Sequence, residues 1–200
     1  MIIAGGTLLS ADTAQPYREK AWISVTKGRI TAISDSAPKD ISPKTKVIDA
    51  TGRVITPGFV NVHTHAILSM VRGVAEDMGF APAYTIGVPH GHDPSPEEAY
   101  AMAQLGGLEA LCFGSTIIND SFSHQNVALS AMAETGLRAW GCGRIHDVDF
   151  SRVHLGEWTY DTKIGEKTLG EASDLIARFH DPDGLRTGVV LAPHAPDTCS

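Results

Sequence analysis

Two histidines, His63 and His65, close a short apolar run, Phe59-Val60-Asn61-Val62. In a strand, residues i and i+2 point to the same face, so both imidazoles face one way. Two imidazoles on one face are the start of a divalent-metal site, because each offers a nitrogen lone pair. Spacing alone is a weak signal; with its place at the end of an apolar strand introduced by Pro57-Gly58, the pair reads equally as a metal site and as ordinary surface or core histidines. The chain carries 9 histidines at a net charge of −7, which makes metal ligation worth pursuing. The other histidines read more plainly. His90-Gly91-His92 sits in a Pro/Gly loop, and His124, His146, His154 and His180 read as solvated or capping groups. Glu76 and Asp77 read as structural carboxylates with Arg72 as ion-pair partner. Asp120 ends an apolar strand and faces its carboxyl end by position. Met70 and Met78 read as core or pocket wall.

The elements that would position these residues follow from pattern. Trp22 to Thr26 alternates, Lys27-Gly28 turns, and Arg29 to Ser34 returns, which predicts a β-hairpin. Residues 35–45 are a loop rich in Ser, Pro, Lys and Asp. Val47-Ile48, the turn Ala50-Thr51-Gly52, and Val54-Ile55 predict a second short β unit, so residues 1–56 form a small sheet. The pattern changes at Pro57-Gly58. Ser95-Pro96-Glu97-Glu98 predicts a helix start with a capping box, running to about Cys112. Strands are predicted at 115–120, from 137, and at 187–192, and helices at 126–134 and 166–179. Strand–helix alternation of this kind means α/β class with a parallel sheet or barrel. The motif then sits at the carboxyl end of a strand, where such folds place their sites.

Composition removes several alternatives. Hydrophobic residues are 42% and charged residues 20% of the 200, so the chain is neither disordered nor fibrous. The acidic balance argues against a nucleic-acid binder or an acidic-membrane binder. No apolar run is long enough to span a bilayer, and the start lacks the basic n-region of a signal peptide. Three dispersed cysteines, Cys112, Cys142 and Cys199, form no disulfide framework and read as buried small apolar groups. A cytoplasmic location is expected.

The wider string Val54-Ile55-Thr56-Pro57-Gly58-Phe59-Val60-Asn61-Val62-His63-Thr64-His65 resembles the opening of the amidohydrolase superfamily. Val71-Arg72-Gly73-Val74-Ala75-Glu76-Asp77 is similar to one branch of it. That branch holds the S-adenosylhomocysteine/methylthioadenosine deaminases, the triazine hydrolases and the guanine- and cytosine-deaminase relatives. Ala192-Pro193-His194-Ala195-Pro196-Asp197 resembles that branch's Pro-His-(Ser/Ala)-Pro-Tyr segment, with Asp197 in place of Tyr.

The resemblance implies a metal-dependent (β/α)8 (TIM) barrel preceded by a small β-sandwich segment. Residues 1–56 would be the N-terminal part of the sandwich, and 57–200 the first half of the barrel. It implies one divalent metal, zinc or iron, with His63 and His65 as two ligands. His194 and Arg144 fall where the family contacts substrate, and His194 is not expected to ligate metal. The remaining ligands and the catalytic acid/base are expected beyond residue 200. The implied activity is hydrolysis of carbon–nitrogen bonds other than peptide bonds: deamination of a small heterocyclic amine by metal-activated water. No nucleic-acid or membrane partner is implied, and homo-oligomer formation stays open for a longer form.

Departures from the branch weigh against an adenosine-type nucleoside. Ala83-Tyr84 stands where a Trp-Leu pair is common. Gly91 follows Pro89 where a ribose-binding Glu is expected, and Gly143 falls at the deaminases' arginine, with Arg144 beside it. Two rivals stand beside deamination. One is a triazine-type dechlorinase or amine-releasing hydrolase. The other is a catalytically inactive truncated fragment, because 143 residues after Pro57 fall short of the roughly 200 a barrel needs.

Overall fold

A computed structural model describes residues 1–74, 94–153, 155–181, 183 and 186–200. Glu76, Asp77, Met78, Ala83, Tyr84, His90, His92 and His154 lie outside the described residues. The chain divides into two compact units, Met1–Gly58 and Phe59–Ser200.

The first unit is a sheet of β1 (Ile2–Leu9), β2 (Tyr17–Thr26), β3 (Arg29–Ser34), β4 (Val47–Asp49) and β5 (Val54–Ile55). The hairpin β2–β3 is antiparallel. Its turn residues Lys27 and Gly28 have φ of 50° and 75°. Positive φ at both central positions matches the right-handed twist of the flanking strands, and glycine takes it without a Cβ penalty. Val47-Ile48 and Val54-Ile55 do not pair with each other. Both run parallel to β1, which is central in the order β3-β2-β1-β4. β1 buries Ile2, Ala4, Gly6 and Leu8, one face of a period-2 strand. Leu8, Ala21 and Ile23 form the core of this unit.

The second unit holds a four-stranded parallel sheet in the order β6 (Phe59–Thr64), β7 (Ser115–Asp120), β8 (Arg138–Ile145) and β9 (Thr187–Pro193). Parallel neighbours need crossovers, and α1 (Pro96–Cys112), α2 (Gln125–Glu134) and α4 (Thr162–Phe179) supply them. A 3-10 turn (Ala66–Val71) follows β6, and a short helix α3 (Phe150–Val153) follows β8. Helix α1 starts as its sequence predicts: Ser95 Oγ accepts from the Glu98 N–H, and the Glu98 carboxylate accepts from the Ser95 N–H at 2.8 Å. Helix α4 starts four residues before the expected Glu166, because Asp161 caps it through the Lys163 N–H at 2.8 Å. The core packs Ile67, Ala99, Ala103, Ile118, Ala128 and Met132 between the turn, α1, α2 and the sheet, and Met70 lies against it.

Arg72 pairs with Glu109 of α1; Glu76 and Asp77, its expected partners, lie outside the described residues. One expectation for the cysteines does not hold. Cys112, at the end of α1, is exposed, while Cys142 is buried. No described helix is long and apolar enough to cross a membrane.

Candidate metal centre

Because β6 to β9 are parallel, their carboxyl ends form one edge. Thr64 stands beside Asp120, Asp120 beside Gly141, and Ile145 beside Pro193. That edge carries His63 and His65, Asp120, Arg144 and His146, and His194.

His63 lies in β6 and His65 just after it. The two Nε2 atoms stand 3.2 Å apart, with ring centroids 4.8 Å apart and planes crossed at 75°. Two nitrogens held by one tetrahedral zinc at about 2.0–2.1 Å stand about 3.3 Å from each other. The pair is therefore spaced as two ligands of a single ion, and the fit is good. Burial lowers the pKa of His65, and the neighbouring His63 lowers it further. That favours neutral imidazole, the form that ligates. Among the described residues no group of three or more His, Cys, Asp or Glu is placed to hold an ion.

The backbone around His65 is fastened on both sides to the end of β7, through Asp120 and the following Ser121. The Ser121 N–H donates to the Thr64 carbonyl at 3.0 Å, and the Ala66 N–H donates to Asp120 Oδ1 at 2.6 Å. Asp120 is fully buried, and its Oδ2 accepts from the Gln125 side-chain amide. It therefore does not open onto the mouth, as its place at the strand end suggested. Burial raises its pKa, opposed by the Ala66 N–H, Gln125 and His63.

Arg144 and His194 come together around Phe150. The Arg144 guanidinium lies 4.8 Å from the Phe150 ring centre and 5.8 Å from that of Phe122, and His194 meets Phe150 edge-on at 5.7 Å. His194 Nδ1 is 2.9 Å from Thr198 Oγ1. His146 joins them, 4.8 Å from Phe150. It is half-buried, with an Nδ1 that makes no hydrogen bond, so it is neither solvated nor a cap. Burial first, and the charge of Arg144 next, pull both His146 and His194 down to about 4. His124 does precede α2, in a left-handed conformation, but its side chain caps nothing. A crevice of about 520 Å³ opens between α2, β8 and α4, lined by Phe122, Gln125, Arg144, His146 and Thr168 among others; it excludes His63 and His65.

Sequence reasoning missed His146 and Phe150. Each is a single residue in a loop-like stretch, and only the pairing of β8 with β9 brings them beside His194. It also placed Asp120 by strand position alone, without the buried bonds that define its role.

The fold and the site describe a parallel α/β unit with a two-imidazole centre at the carboxyl end of its sheet. Residues 54–200 match the amidohydrolase family, and the chain belongs to that family of enzymes. The 5-methylthioadenosine/S-adenosylhomocysteine deaminase of Thermococcus kodakarensis is 34% identical over 155 residues, 77% of this chain and 34% of that protein. The deaminase of the same name from Bacillus cereus is 30% identical over 196 residues, 97% of this chain and 43% of that protein. Among solved structures, an atrazine chlorohydrolase from Arthrobacter aurescens TC1, complexed with zinc, superposes with a TM-score of 0.77 at 19% identity, over 100% of this chain and 48% of that one. An adenosine deaminase from Xanthomonas campestris with bound zinc gives 0.66 at 23%, over 98% and 43%. The chain thus spans less than half the length of these relatives.

Proposed function

We propose that this chain is the N-terminal part of a metal-dependent hydrolase that deaminates a small heterocyclic amine. The 3.2 Å approach of His63 Nε2 to His65 Nε2 at the carboxyl end of β6 carries the reading. The parallel sheet would be half of a (β/α)8 barrel, and residues 1–56 part of a β-sandwich. Zinc is the first choice of metal and iron the second.

His63 and His65 would hold the ion, each through Nε2. The ion, when bound, activates water for attack on an amidine-like carbon. The other residues of the edge then have separable tasks. Asp120 and Ser121 hold the backbone on either side of His65. His194, kept neutral by burial and by Arg144, offers Nε2 toward substrate while Thr198 holds Nδ1. Arg144, seated on Phe122 and Phe150, keeps a positive charge where an electron-rich ring would bind. On this reading the remaining ligands and the proton-carrying carboxylate would lie beyond residue 200.

Release of halide or amine from a triazine ring is the rival within the fold. The fold likeness to triazine enzymes comes at 19% identity, whereas relatives 30% and 34% identical are named deaminases. Deamination is therefore preferred. The test is ammonia release by a form extended through the later barrel strands, with zinc or ferrous iron supplied. Turnover of an adenine-, guanine- or cytosine-type substrate, lost in His63→Ala, supports the reading. Chloride or alkylamine release from triazines without deamination supports the rival. Full activity in His63→Ala overturns both.

A further inference from the structure

Asp120, Gln125, Thr168 and Thr198 are the buried polar side chains among the described residues. All four serve the carboxyl edge of the parallel sheet. Thr168 Oγ1 donates to the His146 carbonyl at 2.8 Å and accepts from the His146 N–H at 3.2 Å. Thr198 holds the ring of His194. Gln125 holds Asp120, and Asp120 holds Ala66. Burying a polar group is costly unless it is bonded, and burying a carboxylate costs most. The interior accepts that cost next to the histidine pair.

We propose that Asp120 is a positioning residue for the His63–His65 pair: its carboxylate, locked by Gln125, grips the Ala66 N–H and so sets the backbone from which His65 projects. This inference rests on the metal reading above.

Three observations carry it. Ala66 opens the 3-10 turn, and His65 before it supplies no side-chain cap. Its N–H would be an orphan at a helix start, and Asp120 satisfies it from the neighbouring strand. Second, the grip has a counterpart on the other side of His65, where Ser121 N–H binds the Thr64 carbonyl. The two peptide units flanking His65 are thus tied to Asp120, the last residue of β7, and to Ser121 just after it. Third, both carboxylate oxygens are engaged and the side chain is fully buried. Asp120 therefore spends both oxygens on Ala66 and Gln125, and its grip acts on the pair through the backbone of His65. A supporting residue of this kind typically changes metal affinity by about 10–100-fold.

The test uses the 200-residue chain. Zinc affinity is measured by competition with a chromophoric chelator, and ligand geometry by the visible spectrum of the cobalt(II) form. Circular dichroism and thermal unfolding report the fold. In Asp120→Ala, zinc affinity should fall about tenfold or more and the cobalt spectrum should change, with secondary structure retained. Asp120→Asn keeps an acceptor for the Ala66 N–H, and Gln125 turned about offers the added amide its oxygen, so this variant should recover most of the loss. If Asp120→Ala does not fold, Gln125→Ala carries the test, since it removes the lock and should weaken zinc several-fold. A folded Asp120→Ala or Gln125→Ala chain with unchanged affinity and spectrum overturns the positioning role alone. A parent chain whose zinc binding is unaffected by His63→Ala, or that binds none, overturns the metal reading and this inference with it.

Discussion

Gly106 of α1 faces the main chain of Ala66 so closely that a Cβ on Gly106 would lie 2.6 Å from the Ala66 carbonyl oxygen. Helix α1 therefore presses directly on the residue after His65, whose N–H is held by Asp120. In Gly106→Ala, helix propensity would add about 1 kcal/mol of stability. Overpacking costs about 1–3 kcal/mol, and here the clash is with backbone that no rotamer change can move. The clash should win, with a net loss of up to about 2 kcal/mol. Urea unfolding of the two chains measures it, and a Gly106→Ala chain more stable than the parent would refute the close contact.

Acid should weaken the second unit through His146 and His194. Both rings sit near pKa 4 in the folded chain, against 6.5 when free, through burial first and Arg144 second. Between those values the unfolded chain binds more protons than the folded one, so stability rises with pH. Their contribution is complete above about 6.5 and is lost as the pH falls toward 4. Urea midpoints at intervals across that window should fall with acidification, and His146→Asn should flatten the fall. An identical pH slope in that variant would show that His146 is not a source of it.

Zinc should bind the chain weakly. Two imidazoles leave a tetrahedral ion with half its usual protein or solvent-replacing ligands. Purified chain loaded with zinc should lose it on dialysis, and His65→Ala should abolish what binding remains. Tight one-to-one zinc after dialysis would show that a further side chain completes the centre.

The chain on its own should not deaminate adenine-, guanine-, cytosine- or triazine-type compounds. Hydrolysis of this class needs a firmly held ion and a carboxylate to move a proton. The two-histidine pair is present, and Asp120, the buried carboxylate beside it, is fully engaged in holding the backbone. Ammonia release with zinc or ferrous iron present should stay at background. Clear turnover that disappears in His63→Ala would mean that the other groups of the strand edge complete the chemistry.

Local features were legible because their physics is local. Ser95 and Glu98 cap α1 with atoms three residues apart, Lys27-Gly28 turns a hairpin through its own dihedral angles, and the i, i+2 spacing of His63 and His65 brings both rings together at the end of β6. Pattern alone also separated the apolar strands of the parallel sheet from the helices between them. Other features depend on residues far apart in the chain, and only the tertiary structure decided them. β4 and β5 look like partners in sequence, yet both pair with β1, on successive stretches of the edge that β2 leaves open. Asp120 reads as a residue of the open mouth, yet the Ala66 N–H, 54 positions earlier, and Gln125 draw it inside. Arg144, His146, Phe150 and His194 become neighbours only because β8 and β9 run parallel in register. Hydrogen bonds and packing between such distant segments follow from where the chain returns, and no spacing in the sequence encodes that.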